Sequence, residues 1–266
     1  MSSHPETTQD QARVVEQTIE VDAPTDAVWA ALTDATELTR WFPLDATVTP
    51  GEGGSIWMSW GEMYEADSQI EVWKPNEHLR ARFPVVGRRA LATDFYLQGK
   101  GGRTVLRVVT SGFGAGADWD DDYDGVRFGW AFELQGLRHY LERHRGEDRI
   151  VARVQRKLET DKADLWARMV APDGFFSREE GQALDAGPYT ATMAGTSYTG
   201  IIHDHTPPTQ LVGTIHELND AIFRIEVESH GPGDLWFWVG TYGIPEERVR
   251  ELEQTWSEGI DRLFSR

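Results

Sequence analysis

The residues with the clearest potential for chemistry are His203-Asp204-His205, where an i, i+2 spacing on an extended strand would put two imidazoles on one face. His216 or Glu217 could add a third ligand. A metal centre needs three or four converging donors with supporting hydrogen bonds. Thr206-Pro207-Pro208 follows directly, so an exposed strand end is the simpler reading and no metal is expected. The acidic run Asp118, Asp120, Asp121, Asp122 and Asp124 superficially resembles a calcium loop. It lacks the required spacing and terminal Glu, and carboxylates at a helix start are favourable without any ion. Asp67, Asp94, Glu133 and His139 are available for acid–base work, but nothing in the sequence marks any of them as perturbed. There are no cysteines, which excludes disulfides, thiol nucleophiles and Cys-ligated zinc. No G-x-S-x-G elbow is present. The glycine clusters at Gly51 and Gly99 read as hairpin turns, because neither opens a helix as a phosphate loop must. No catalytic residue and no cofactor are therefore expected.

A second kind of chemistry is apolar binding. Trp41, Met58, Trp60, Tyr64, Phe83, Phe95, Phe128 and Phe132 are placed to wall a space between a sheet and a helix. Aromatic walls with few polar anchors suit a flat or oily guest. The competing reading is a packed core, the common fate of such side chains.

The elements that must position these groups begin at Val14. Val15, Gln17, Ile19 and Val21 alternate with polar residues as in a half-buried strand. A helix starts near Pro24, with Asp22 or Thr25 as candidate caps. Asp34 restarts a short helix, and Trp41-Phe42-Pro43 closes it. Strands are predicted from Leu44 to Thr49, around Ile56, Met58 and Trp60, from Tyr64 to Trp73 with Ile70 and Val72 inward, and around Leu79, Ala81 and Phe83. Two more run from Leu91 to Gln98 and from Thr104 to Thr110, with Leu106 and Val108 inward. At hairpin spacing these make an antiparallel meander. A long helix from about Asp121 to His144 carries Val126, Trp130, Leu134, Leu137 and Leu141 near one stripe. It is the one element long enough to cover the sheet's apolar face.

The pattern recurs. Val154 to Phe176 repeats the opening strand and helix, with Trp166 matching Trp29. Trp256, Ile260 and Leu263 repeat the spacing of Trp130, Leu134 and Leu137. An offset above one hundred residues indicates a duplicated domain, not a short-period solenoid. The second copy has strands from Pro188 to Ala194, Ser197 to His203, Gln210 to Glu217, Ala221 to Ser229 and Leu235 to Tyr242, then a helix from Pro245. It is shorter, with less room for a ligand. The expected division is a disordered lead-in over 1–12, one domain over 13–146 and a trimmed second over 149–266.

The 266 residues carry a net charge of −18. Such acidity argues against nucleic-acid backbones and against docking on anionic membranes. No apolar run is long enough to span a bilayer, and no secretory signal is visible, so the expected location is the cytoplasm.

The run GGSIWMSW, then EVWKPNEHLRARF, GGRTVLRVVTSGFG and GWAFELQGLRHYLE, resembles the SRPBCC superfamily of START-like helix-grip domains. Within it, the chain is most similar to bacterial homologues of the heat-shock chaperone ATPase activator, over about residues 13–145. The resemblance implies an α+β fold: a seven-stranded antiparallel sheet gripping a C-terminal helix, with two small helices after the first strand. It also implies a pocket between sheet and helix. The expected function is binding of a small hydrophobic molecule, lipid-like or polyketide-like, in the first domain. The alternatives are a cyclase, dehydratase or hydrolase on the same frame, and an interaction protein that touches a chaperone ATPase. A second copy of the chain or a chaperone would then be the protein partner.

Overall fold

The computed structural model describes residues 13–62, 64–85, 90–179, 184–228 and 233–265. The expected lead-in lies outside them. The chain forms two compact units, Met1–Gly146 and Glu147–Arg266.

The first unit opens with strand β1 (Arg13–Val21), helix α1 (Thr25–Thr33) and short helix α2 (Ala35–Thr39). A meander follows: β2 (Asp45–Thr49), β3 (Ser55–Ser59), β4 (Glu65–Lys74), β5 (His78–Phe83), β6 (Leu91–Lys100) and β7 (Arg103–Phe113). Helix α3 (Asp120–Arg143) closes the unit. The sheet is antiparallel, seven-stranded and ordered β1-β7-β6-β5-β4-β3-β2, so the first strand returns to pair with the last.

The second unit repeats this order with fewer parts. It contains β8 (Arg149–Lys157), one helix α4 (Lys162–Val170), strands β9 (Gly187–Met193), β10 (Thr196–Thr206), β11 (Gln210–Ile215), β12 (Ala221–Glu228) and β13 (Asp234–Tyr242), and helix α5 (Glu246–Phe264). Its six strands run β8-β13-β12-β11-β10-β9, again with first beside last. Trp29 and Trp166 are each the fifth residue of the helix after the opening strand. Trp130 and Trp256 are each the eleventh residue of the closing helix. The two units are therefore one α+β plan used twice, the second with a shorter final helix.

Three local expectations need correction. Neither Asp22 nor Thr25 caps α1. Extended Pro24 holds the cap position without a side-chain hydrogen bond, and Thr25 is already helical. The following helices are capped as their sequences indicate. Asp34 accepts from the Glu37 amide at 3.0 Å, and Asp161 accepts from the amides of Ala163 and Asp164 at 2.9 and 3.0 Å.

Second, Ile70 and Val72 do not share a face. The β4–β5 register slips between them, so Ile70 pairs with Ala81 but Val72 with Arg80. One extra residue in a strand reverses the alternation beyond it. Glu71, beside the slip, faces outward and pairs with both Arg82 and Arg80 (2.8 Å).

Third, the two imidazoles do not lie side by side. A slip between Ile202 and Asp204 leaves His203 as the extra, exposed residue. His205 pairs with buried Leu211 and stacks on Trp166 at 5.8 Å. Asp204 bonds to Thr206 and Gln210. Among the described residues no group of His, Asp and Glu side chains could hold a metal ion.

Candidate functional site

The C-terminal half of α3 is seated in the core of the first unit through Leu134, Leu137, Tyr140 and Leu141, all buried. Its N-terminal half, Asp120 to Glu133, has no fully buried side chain. Beneath that half lies a cavity of about 320 Å³.

The cavity exists because small side chains face one another. Ala66, Ala81, Thr93 and Thr110 supply the sheet floor, and Gly129 faces them from α3. A Cβ built at Gly129 would meet no atom within 4 Å. A packed core would place large side chains there. The walls are aromatic. Trp41 stacks on Phe42 at 4.9 Å, and Phe42 meets the edge of Trp60 at 5.2 Å. Trp130 lies 5.7 Å from Phe42 and 5.4 Å from Phe95. The Trp41 indole is pinned by donating to the Ala31 carbonyl at 2.8 Å. Tyr64, 57% exposed, stands beside Trp60 at 5.8 Å and forms part of the opening with Pro84 and Val85.

Six of the eight side chains singled out in the sequence lie on this wall: Trp41, Met58, Trp60, Tyr64, Phe83 and Phe95. Phe128 and Phe132 do not. The cavity row on α3 is Val126, Gly129, Trp130 and Glu133. Phe128 is two residues past Val126, about 200° around the helix, and Phe132 follows it one turn on. Arg127 lies over the Phe128 ring at 4.4 Å.

Sequence reasoning missed Thr93, Thr110, Trp130 and Glu133 as wall residues. Thr110 continues the inward row of Leu106 and Val108, and Thr93 sits between Leu91 and Phe95, so period-two alternation could have found both. Trp130 was assigned to the helix's apolar stripe but not to a pocket.

The polar content of the wall is small. Thr93 and Thr110, both buried, are joined hydroxyl to hydroxyl at 2.9 Å. The Trp130 indole donates to the Thr110 hydroxyl at 3.1 Å. Of the four acid–base candidates, Glu133 alone is on the wall. Asp67 is exposed. Asp94 points to the other face of the sheet, bonding to His78 at 2.7 Å and to Arg80. There Arg80 and Arg82 hold the Glu71 carboxyl below its ordinary range, through hydrogen bonds first and charge second.

Among the described residues, aromatic side chains pack through the interior of the second unit. Phe175 and Phe176, which follow α4, are buried, and Phe175 meets Phe237 at 5.0 Å. Phe237 in turn meets Trp256, only 1% exposed, at 5.2 Å. Phe176 packs on Tyr189 at 5.1 Å and Phe223 at 5.7 Å. Tyr189 donates to the Thr214 carbonyl at 2.8 Å, and burial pushes its phenol well above the usual range. A concavity among the described residues of this unit is lined by polar Asp173, Ser177, Thr192 and Arg262 together with Phe175 and Leu263.

The chain is similar to several known proteins. No curated protein matches the chain in sequence. Protein MLL2253 from Mesorhizobium loti is 23% identical over 50% of this chain and 98% of its own, with a TM-score of 0.46. DynU16, described as a putative protein in the dynemicin biosynthetic locus, is 18% identical over 95% of this chain and 96% of its own, with a TM-score of 0.45. The di-domain ARO/CYC protein BexL is 15% identical over 96% and 99% respectively, with a TM-score of 0.45. Residues 22–142 match the family model described as Activator of Hsp90 ATPase homolog 1-like protein. That match spans most of the first unit, with its paired small helices, seven-stranded sheet and closing helix, so the first unit is similar to the Activator of Hsp90 ATPase homolog 1-like family.

Proposed function

We propose that the first unit binds one small apolar molecule between its sheet and α3. The observation that carries this reading is the hollow under Gly129. Small residues face each other across about 320 Å³ and aromatic rings form the sides. The volume lies within the range of small-molecule sites, and the lining has their usual character, mostly apolar with a few polar groups.

The direct test plugs the hollow without disturbing its frame. In Gly129→Leu the new side chain enters open space, and helix propensity improves by up to about 1 kcal/mol. Nile red is a suitable probe because it is neutral, whereas an anionic dye would be repelled by a net charge of −18. Fluorescence titration should show binding to the wild type and at least about tenfold weaker binding to Gly129→Leu, a change of roughly 1.4 kcal/mol. The thermal midpoint should be equal or higher. Unchanged affinity in a folded Gly129→Leu protein would place the dye elsewhere and remove the support for this reading.

A further inference from the structure

The cavity is not uniformly oily. Besides Glu133, Trp60 and Tyr64, its wall carries one compact cluster of three polar hydrogens and two acceptor oxygens: the Trp130 indole N–H, the two threonine O–H groups, and the oxygens Oγ1 of Thr93 and Thr110. The indole donates to Thr110 at 3.1 Å. The two hydroxyls share one hydrogen bond of 2.9 Å, which uses one of their two hydrogens. If Thr93 is the donor, the Thr110 hydrogen is left over. If Thr110 is the donor, the Thr93 hydrogen is left over. The count does not depend on which assignment holds.

Among the described residues neither threonine hydroxyl makes any other hydrogen bond. Both residues are nearly inaccessible, at 2% and 3% exposure. A buried donor without an acceptor costs on the order of 1–3 kcal/mol, so this hydrogen has a strong requirement for a partner. Its strand neighbours on that face, Leu91, Phe95 and Ala81, and the Trp130 indole offer no side-chain acceptor, and Glu133, the carboxylate on the wall, makes no hydrogen bond to either threonine.

The geometry points to a guest that carries an acceptor oxygen, a ketone, quinone or ester carbonyl, on an otherwise apolar and preferably aromatic body. The carbonyl accepts from the spare hydroxyl of the Thr93–Thr110 pair, and the aromatic walls take the rest. This deepens the apolar-ligand reading and rests on it.

A matched pair of probes separates the two. 9-Fluorenone and fluorene have the same three-ring frame and differ in one carbonyl. Both should displace Nile red from the wild-type full-length protein. The infrared carbonyl stretch of bound 9-fluorenone should fall below its value in an alkane, as a hydrogen bond requires, and this wild-type measurement needs no variant to fold. In Thr93→Val/Thr110→Val/Trp130→Phe, where every donor of the cluster is gone, fluorene should still bind and the ketone stretch should return to the alkane value. Thr93→Val alone still leaves the Thr110 hydrogen spare and should keep the shift.

If both probes bind the wild type and the stretch is unshifted, the carbonyl inference fails while apolar binding stands. A shift that survives in the triple variant also overturns it, by locating the donor elsewhere. If neither probe binds, both the inference and the reading beneath it fall.

Discussion

Gly129 and the threonines show how little changes between a core and a cavity. At Gly129 a missing side chain opens space, and at Thr93 and Thr110 short side chains fail to fill it. The aromatic walls were legible in the sequence because Trp and Phe stand out against alternating polar residues. The floor was not, because alanine and threonine at inward positions look like ordinary strand. The exposed face of the sheet carries a different residue-scale consequence. Glu71 sits between Arg80 and Arg82, and its carboxyl titrates below its ordinary 4.5. A group with a depressed folded pKa stabilises at pH above the unfolded value, and that contribution is lost as pH falls through the folded one. Glu71→Gln should therefore lower stability at neutral pH, by about 1 kcal/mol or less given its partial exposure. The difference from wild type should shrink towards zero in acid. Urea unfolding at pH 7 and pH 3 checks this; a difference that grows on acidification would contradict it.

At the scale of elements, the order of strands and helices followed from period and turn chemistry. Two faces did not. Both errors arose at register slips, after Ile70 and after Ile202, where one added residue inverts the alternation. No local signature in either stretch marks the extra residue, so strict alternation carried Val72 and His205 to the wrong side. Helix starts gave a mixed result for a similar reason. Asp161 caps α4 with two amide bonds, which also hold its carboxyl below the usual range, whereas Asp22 lies outside the start of α1. Asp161→Ala should lower the thermal midpoint, because two amides lose their acceptor, and Asp22→Ala should be close to neutral. Equal losses in thermal unfolding would show that the caps are not as distinct as their geometry.

For the whole molecule, the duplication was legible because tryptophans recur at fixed helical positions, Trp29 with Trp166 and Trp130 with Trp256. What the repeat did not disclose is that the two copies handle the same position differently. Trp130 is half-buried beside a hollow, while Trp256 is sealed among Phe237 and Tyr198. The central claim is thus that one of the two grips is hollow and the other is filled. No helix among the described residues is long and apolar enough to cross a membrane. The most direct measurement is the binding stoichiometry of Nile red on the full-length chain, by fluorescence at protein concentrations well above Kd. One molecule per chain, held at least about tenfold more weakly by Gly129→Leu, is the expected result. Two per chain, or one held with unchanged affinity by the plugged variant, would contradict it.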